Sequence, residues 1–95
     1  MTVSTVSGKI AKHDVNLYTI STCIWCKRLK TKLNSNNIQY SYTDIDLLPF
    51  DEKERLKNTL RETTPRLAFP MMFVDGHFIA NDDIDEQIEN LVQDG

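Results

Sequence analysis

No run in this chain is apolar for long enough to span a membrane, so no membrane partner is expected. Basic residues are outnumbered, 11 Lys and Arg against 14 Asp and Glu, for a net charge of −3. A phosphate backbone calls for the opposite balance, which argues against nucleic acid. The two histidines, His13 and His77, do not have the paired spacing of a zinc site. There is no internal repeat and no linker. Cysteine is almost absent as well: Cys23 and Cys26 are the only two. The first 14 residues hold Ser, Thr, Gly and Lys rather than a continuous apolar segment, so a signal peptide is not expected and a cytoplasmic location is. In that reducing compartment, two neighbouring cysteines are more often catalytic or metal-binding than a permanent staple.

What remains is an ordinary globular composition, 40% hydrophobic and 26% charged over 95 residues. One domain of this size buries roughly two-thirds of its unfolded surface. Residues 1–13 are polar and unpatterned and read as a mobile lead-in, with room for a short added strand; the domain proper occupies 14–95. Alternation over residues 15–20 predicts a strand, after which Ser21 and Thr22 could cap a helix beginning near Cys23. Cys26, Leu29 and Leu33 recur on one stripe of that helix, and Asn34, Ser35, Asn36 and Asn37 end it. A second strand covers about 38–45. Pro49 can start a second helix whose core face would be Phe50, Leu56 and Leu60. Two strand-like runs flank Asp75-Gly76, a strong hairpin signal. A last helix begins near Asn81 with the stripe Ile84, Ile88, Leu91 and Val92. The order is β-α-β-α-β-β-α, an α/β fold with a four-stranded mixed sheet flanked by helices.

The chemistry concentrates in Thr22-Cys23-Ile24-Trp25-Cys26-Lys27-Arg28. One helical turn brings two thiols at this spacing within bonding distance, so the pair can cycle between dithiol and disulfide. A thiol at a helix N-terminus meets unpaired N–H groups and the positive end of the macrodipole, which favour the thiolate. Nearby Lys27 and Arg28 are expected to act in the same direction. Two buried cysteines serving as small hydrophobes, or two ligands of a metal, are the competing meanings of the same spacing.

Residues 15–92 resemble the glutaredoxin family of the thioredoxin-fold superfamily. Tyr18 to Cys26 after the first strand, Phe69-Pro70 before the hairpin, and Asn81-Asp82-Asp83-Ile84 at the last helix carry the resemblance. It implies a dithiol glutaredoxin or glutaredoxin-like redoxin with the thioredoxin-like fold. Such a protein is a thiol–disulfide oxidoreductase and electron carrier, with Cys23 as nucleophile and Cys26 resolving the mixed disulfide. It further implies that Trp25 walls the substrate site and that Pro70 is cis. The backbone of Phe69 would then be free to pair with bound peptide or glutathione. Either Asp82 or Asp83 would hold the glutathione amino group.

The chain also departs from the family pattern. Ile20 stands where a Lys usually pairs with a glutathione carboxylate, Ile24 where the motif usually has Pro, and Ala80-Asn81 near the usual Gly-Gly. Arg66, Lys27 or Lys12 could supply the missing cation. The expected partners are disulfide-bearing proteins, with glutathione or a flavoprotein reductase as electron donor and ribonucleotide reductase as one acceptor. No bound cofactor is expected, glutathione serving as co-substrate, and the chain is expected to be a monomer. A non-catalytic binding module and a metal- or iron–sulfur-binding glutaredoxin are the alternatives.

Overall fold

The computed structural model describes residues 3–94. Its elements are β1 (Ser4–Val6), β2 (Val15–Thr19), α1 (Ile24–Ser35), β3 (Tyr40–Asp44), α2 (Phe50–Thr63), β4 (Met71–Val74), β5 (His77–Ile79) and α3 (Ile84–Asp94). Short 3₁₀ turns, Ile45–Leu47 and Asn81–Asp83, precede α2 and α3. The strands form one sheet in the order β1-β3-β2-β4-β5. β2 and β3 are parallel, with Asn16 opposite Ser41 and Thr19 opposite Asp44, as a crossover through α1 requires. The other neighbours are antiparallel. This is the expected mixed α/β fold with one strand more.

That fifth strand is β1, drawn from the polar lead-in. It pairs with the outer edge of β3, Ser4 opposite Tyr42 and Val6 opposite Tyr40. A ladder made of backbone groups on an edge needs no apolar pattern, so Ser4-Thr5-Val6 carries little signal. The lead-in is tied again further on. The Ile10 N–H donates to the Asn37 carbonyl at 2.9 Å, and the Gln39 N–H donates to the Ile10 carbonyl at 2.8 Å. Gly8 permits the approach, because a Cβ there would stand 2.6 Å from the Asn37 oxygen and 2.7 Å from the Gln39 nitrogen. Met1, Thr2 and Gly95, the ends of the two expected segments, lie outside the described residues.

Strand alternation sends Val15 and Leu17 of β2 to the face where α1 and α3 pack. There they join Leu29 and Leu33, Met72 and Val74, and Ile84, Ile88 and Leu91 in one buried cluster. Burying each such side chain contributes about 1.5–3 kcal/mol, which locks α1 to the sheet behind the cysteines. Two expected core positions differ. Phe50 is 70% exposed, because as the first residue of α2 it still belongs to the entering turn; the Lys53 ammonium lies 5.9 Å from its ring. Val92 is 39% exposed, at the edge of a stripe that Ile84, Ile88 and Leu91 already fill. Asp75 and Gly76 both have positive φ, 51° and 82°, the geometry of the tight turn that their sequence suggests.

Candidate active site

β2 ends at Thr19, and the loop 20–23 delivers the chain to α1 at the C-terminal edge of the sheet. The N-cap of α1 is Cys23 itself, in an extended conformation, with its sulfur accepting the Cys26 N–H at 3.3 Å. Ser21 and Thr22, the expected caps, do not take this place. Ser21 instead faces Asp46 in the turn after β3. Its N–H donates to Asp46 Oδ1 at 2.9 Å and its hydroxyl donates to Oδ2. This brace fixes the loop two residues before the cysteine, and the same bonds hold the Asp46 carboxyl below its ordinary range against the effect of burial.

The two thiols occupy different environments. Cys23 is half-buried, while Cys26 is fully buried on the inner face of α1. Burial raises the Cys23 pKa, but hydrogen bonds from the Cys26 thiol and from the N–H groups of Cys26 and Trp25 outweigh it and bring the value down. Lys27 and Arg28, expected to do this, are exposed and are not among the groups that lower it; the Cys26 thiol acts first and the opening N–H groups of α1 after it. Burial pushes the Cys26 thiol up to about 12, reinforced by its hydrogen bond to Cys23. The arrangement therefore separates an accessible thiol that ionises readily from a protected one that does not.

Opposite Cys23 runs Phe69-Pro70. The peptide bond is cis, as expected, and the Phe69 carbonyl oxygen lies 4.0 Å from the Cys23 sulfur. A groove of about 520 Å³ opens beside the pair. α1 supplies one wall with Trp25, Arg28, Leu29 and Lys32; the other wall is Phe69 and Pro70 followed by Asn81, Ile84 and Asp85. This volume falls in the range of small-molecule sites. Trp25 is 62% exposed rather than folded into the core, and the Arg28 guanidinium stacks 4.8 Å from its ring. An ion pair between Lys32 and Asp85 joins the two walls.

Asp82, Asp83 and Arg66 lie outside these walls. Both aspartates are exposed in the turn Asn81–Asp83, and Arg66 is exposed in the segment before β4. Lys12 precedes β2, at the opposite edge of the sheet. The structure thus brings Cys23, Cys26, Trp25, Phe69 and Pro70 together, and it adds Arg28, Lys32 and Asp85 as the charged groups nearest the groove. A signal for these was present. α1 carries Lys27, Arg28, Lys30 and Lys32 and no acid, whereas α3 carries Asp85, Glu86, Glu89 and Asp94 and no base. Helices of opposite charge packed on one face will line their seam with both signs. No group of three or more metal-ligating side chains is gathered anywhere among the described residues.

Comparison with known proteins agrees with this geometry. The glutaredoxin family model matches residues 15–79. A glutaredoxin-like protein of Clostridium pasteurianum is 32% identical over 78 residues, covering 79% of this chain and 97% of that protein. An uncharacterised monothiol glutaredoxin of Caenorhabditis elegans is 28% identical over 87 residues, 88% of this chain, and the chain spans only 57% of that relative's length. The crystal structure of a glutaredoxin from Methanosarcina mazei superposes with a TM-score of 0.78 at 29% identity, covering 94% of this chain and 86% of the other. With the family model spanning β2 through β5 and the dithiol loop inside it, the chain belongs to the glutaredoxins, a family of thiol–disulfide oxidoreductases.

Proposed function

We propose that this chain reduces protein disulfides and glutathione mixed disulfides by a dithiol cycle. The Cys23 thiolate attacks one sulfur of the substrate disulfide; a Cys23–substrate bond forms and the first substrate thiolate leaves. Cys26 then loses its proton and attacks the Cys23 sulfur. The Cys23–Cys26 disulfide forms, the second substrate thiolate departs, and two electrons have passed from protein to substrate. The observation that carries this reading is the contrast between the thiols: Cys23 half-exposed with the Cys26 N–H on its sulfur, Cys26 buried directly behind it.

The cycle closes when an external reductant opens the disulfide. The groove supports glutathione as that co-substrate, with no resident cofactor. Arg28 and Lys32 on α1 could meet its carboxylates and Asp85 its ammonium, although Ile20 removes the usual lysine. A charge-assisted hydrogen bond is worth about 1.5–3 kcal/mol, so Arg28 can offset much of that loss. A flavoprotein reductase of the thioredoxin-reductase type is the competing donor. We place the protein in the reducing cytoplasm, acting as a monomer on protein disulfides, with ribonucleotide reductase as one acceptor that such a dithiol could serve.

Two coupled NADPH assays test the reading. One supplies glutathione and glutathione reductase; the other supplies thioredoxin reductase alone. Turnover in the first supports the groove assignment, and turnover only in the second assigns the flavoprotein donor. No turnover in either, with a Cys23 thiol of ordinary pKa, would sink the enzymatic reading and leave a binding module.

A further inference from the structure

Cys26 poses a problem for the cycle just proposed, because a fully buried thiol must become a thiolate before it can attack Cys23. One cation lies on the same helical stripe. Lys30 follows Cys26 by four residues, so the two side chains are neighbours on one face of α1. Helical side chains lean toward the helix N-terminus, the direction in which Cys26 lies from Lys30. Its contacts fix where the ammonium ends. Lys30 Nζ stands 3.3 Å from Asp44 Oδ1 and 3.8 Å from the centroid of the Tyr42 ring. Asp44 is the last residue of β3 and lies opposite Thr19, whose hydroxyl donates to Asp44 Oδ1 at 2.5 Å. Thr19 is fully buried, and the next residue, Ile20, offers its N–H to the Cys26 sulfur. Thr19, Asp44 and Lys30 therefore form one hydrogen-bonded cluster between α1 and the ends of β2 and β3, with Cys26 one helical turn before Lys30 and bonded to the residue after Thr19.

This pair differs from the one at the groove. The side chains of Lys30 and Asp44 are only 20% and 17% exposed, whereas Lys32 and Asp85 at the groove are 46% and 80% exposed. Water screens the second pair and screens the first much less. A cation held there over an aromatic ring has a field that reaches the neighbouring sulfur.

We infer that Lys30 is a positioning residue for the resolving step: its ammonium, restrained by Asp44 and Tyr42, stabilises the Cys26 thiolate as it forms. The inference rests on the dithiol reading above. It agrees in sign with the Lys30 charge lowering the Cys26 pKa against the larger effects of burial and of the Cys23 hydrogen bond. The titratable groups facing this point are Cys23 from the loop, Lys30 on α1, and Tyr42 and Asp44 on β3; Asp46 is turned to Ser21. Asp44 has a second consequence. Its carboxylate partly cancels the Lys30 charge, so it holds the cation in place while limiting its effect.

Stopped-flow mixing of the reduced protein with one equivalent of dithiobis-nitrobenzoate separates the steps. Cys23 attacks the reagent and releases one coloured thiolate; Cys26 then closes the protein disulfide and releases the second. Lys30→Met should leave the first phase unchanged and slow the second severalfold at neutral pH, the direction that losing the cation beside a forming thiolate gives, moving its pH profile upward. Lys30→Arg should restore it, and Asp44→Asn should speed the second phase. If Lys30→Met leaves the second phase alone, or if both charge-removing variants slow it alike, Lys30 is a structural tether and the inference fails. Absence of any second phase in the unaltered protein would instead refute the dithiol cycle itself. An unchanged first-phase rate reports that the Cys23 environment is intact in each variant.

Discussion

The two ends of the sheet handle charge in opposite ways. At the C-terminal end of β2, the groups that tune Cys23 are backbone N–H donors and a buried sulfur, held by α1. At the other end, His13 reaches Asp75 at 2.7 Å through Nδ1 and Asp94 at 3.0 Å through Nε2, the ring partly exposed and both carboxylates open to water. The first arrangement is dipolar, protected and difficult to displace. The second is ionic, screened by salt and made of residues that leave the fold standing when they let go. The difference assigns chemistry to one end and fastening to the other. Substitutions at the cysteine end should therefore alter rates with little change in stability, and substitutions at the His13 end should do the reverse.

The largest effect expected tests the cysteine end directly. Cys23→Ser should reduce disulfide turnover by at least about a thousandfold, since no other thiol is exposed to attack substrate. Its thermal midpoint should stay within a degree or two of the parent. Cys26→Ser should stop at a mixed disulfide on Cys23, visible by intact mass, which added glutathione then resolves. Residual activity in Cys23→Ser would break the division of roles between the thiols.

Gly8→Ala comes next and probes the other end. The added methyl meets backbone atoms of Asn37, Ile38 and Gln39, all nearer than 3.0 Å, and backbone does not swing aside as a long side chain would. Overpacking of this kind costs about 1–3 kcal/mol. For a domain of this size that corresponds to a loss of at least about 4 °C in Tm. The N–H groups of Ile10 and Gln39 should exchange faster, and turnover at 25 °C should be unchanged. A drop in turnover with Tm preserved would show that the two ends are coupled.

Trp25→Ala is a smaller perturbation. It removes one wall of the groove and the ring on which Arg28 stacks. An exposed cation–π contact is worth about 0.5–1 kcal/mol, equivalent to a KM rise of about two- to fivefold for a glutathione mixed disulfide. kcat should hold, because alanine keeps the backbone N–H at position 25 and both Cys26 donors to Cys23 stay in place. A fall in kcat without a change in KM would assign Trp25 to the reacting centre instead.

How much of this was legible in the residues follows the same division. Features written in short range were readable. The strand of Val15 to Thr19, the Cys23–Cys26 spacing, the Asp75-Gly76 turn and the stripe of Ile84, Ile88 and Leu91 each depend on residues a few positions apart. The family resemblance added cis-Pro70, which composition alone would not suggest. Features made between distant segments were not readable. The Ser21–Asp46 brace spans 25 residues, and it displaced Ser21 from the capping role that its position suggested. β1 depends on the free edge of β3, so the lead-in shows room for a strand but not its place, and Phe50 lies outside the core because an apolar residue at a helix start has the same pattern whether it faces in or out. The charged walls of the groove lay between these extremes, visible as opposite charge on α1 and α3 but unpaired until the two helices met.

The smallest effect concerns His13, and its sign follows from the geometry. A neutral imidazole donates from one nitrogen only, whereas two carboxylates flank this ring, so the protonated form satisfies both contacts. Hydrogen bonds to Asp75 and then Asp94 raise the His13 pKa above its ordinary 6.5 despite some desolvation. The stabilisation is therefore complete below 6.5 and lost as pH rises through the higher folded value. Asp75 behaves inversely. The Asp14 N–H and then His13 hold its pKa below 3.8, so its contribution is present above 3.8 and lost as pH falls through the lower folded value. The His13 clamp is thus complete between 3.8 and 6.5, where Tm should exceed that of His13→Gln by a small margin that shrinks with added salt. Above the folded pKa of His13 the two proteins should converge. Convergence also in the acid window would mean that the hydrogen bonds of Ile10 and Gln39 fasten the lead-in unaided; a difference independent of pH would mean that His13 acts by packing and not by charge.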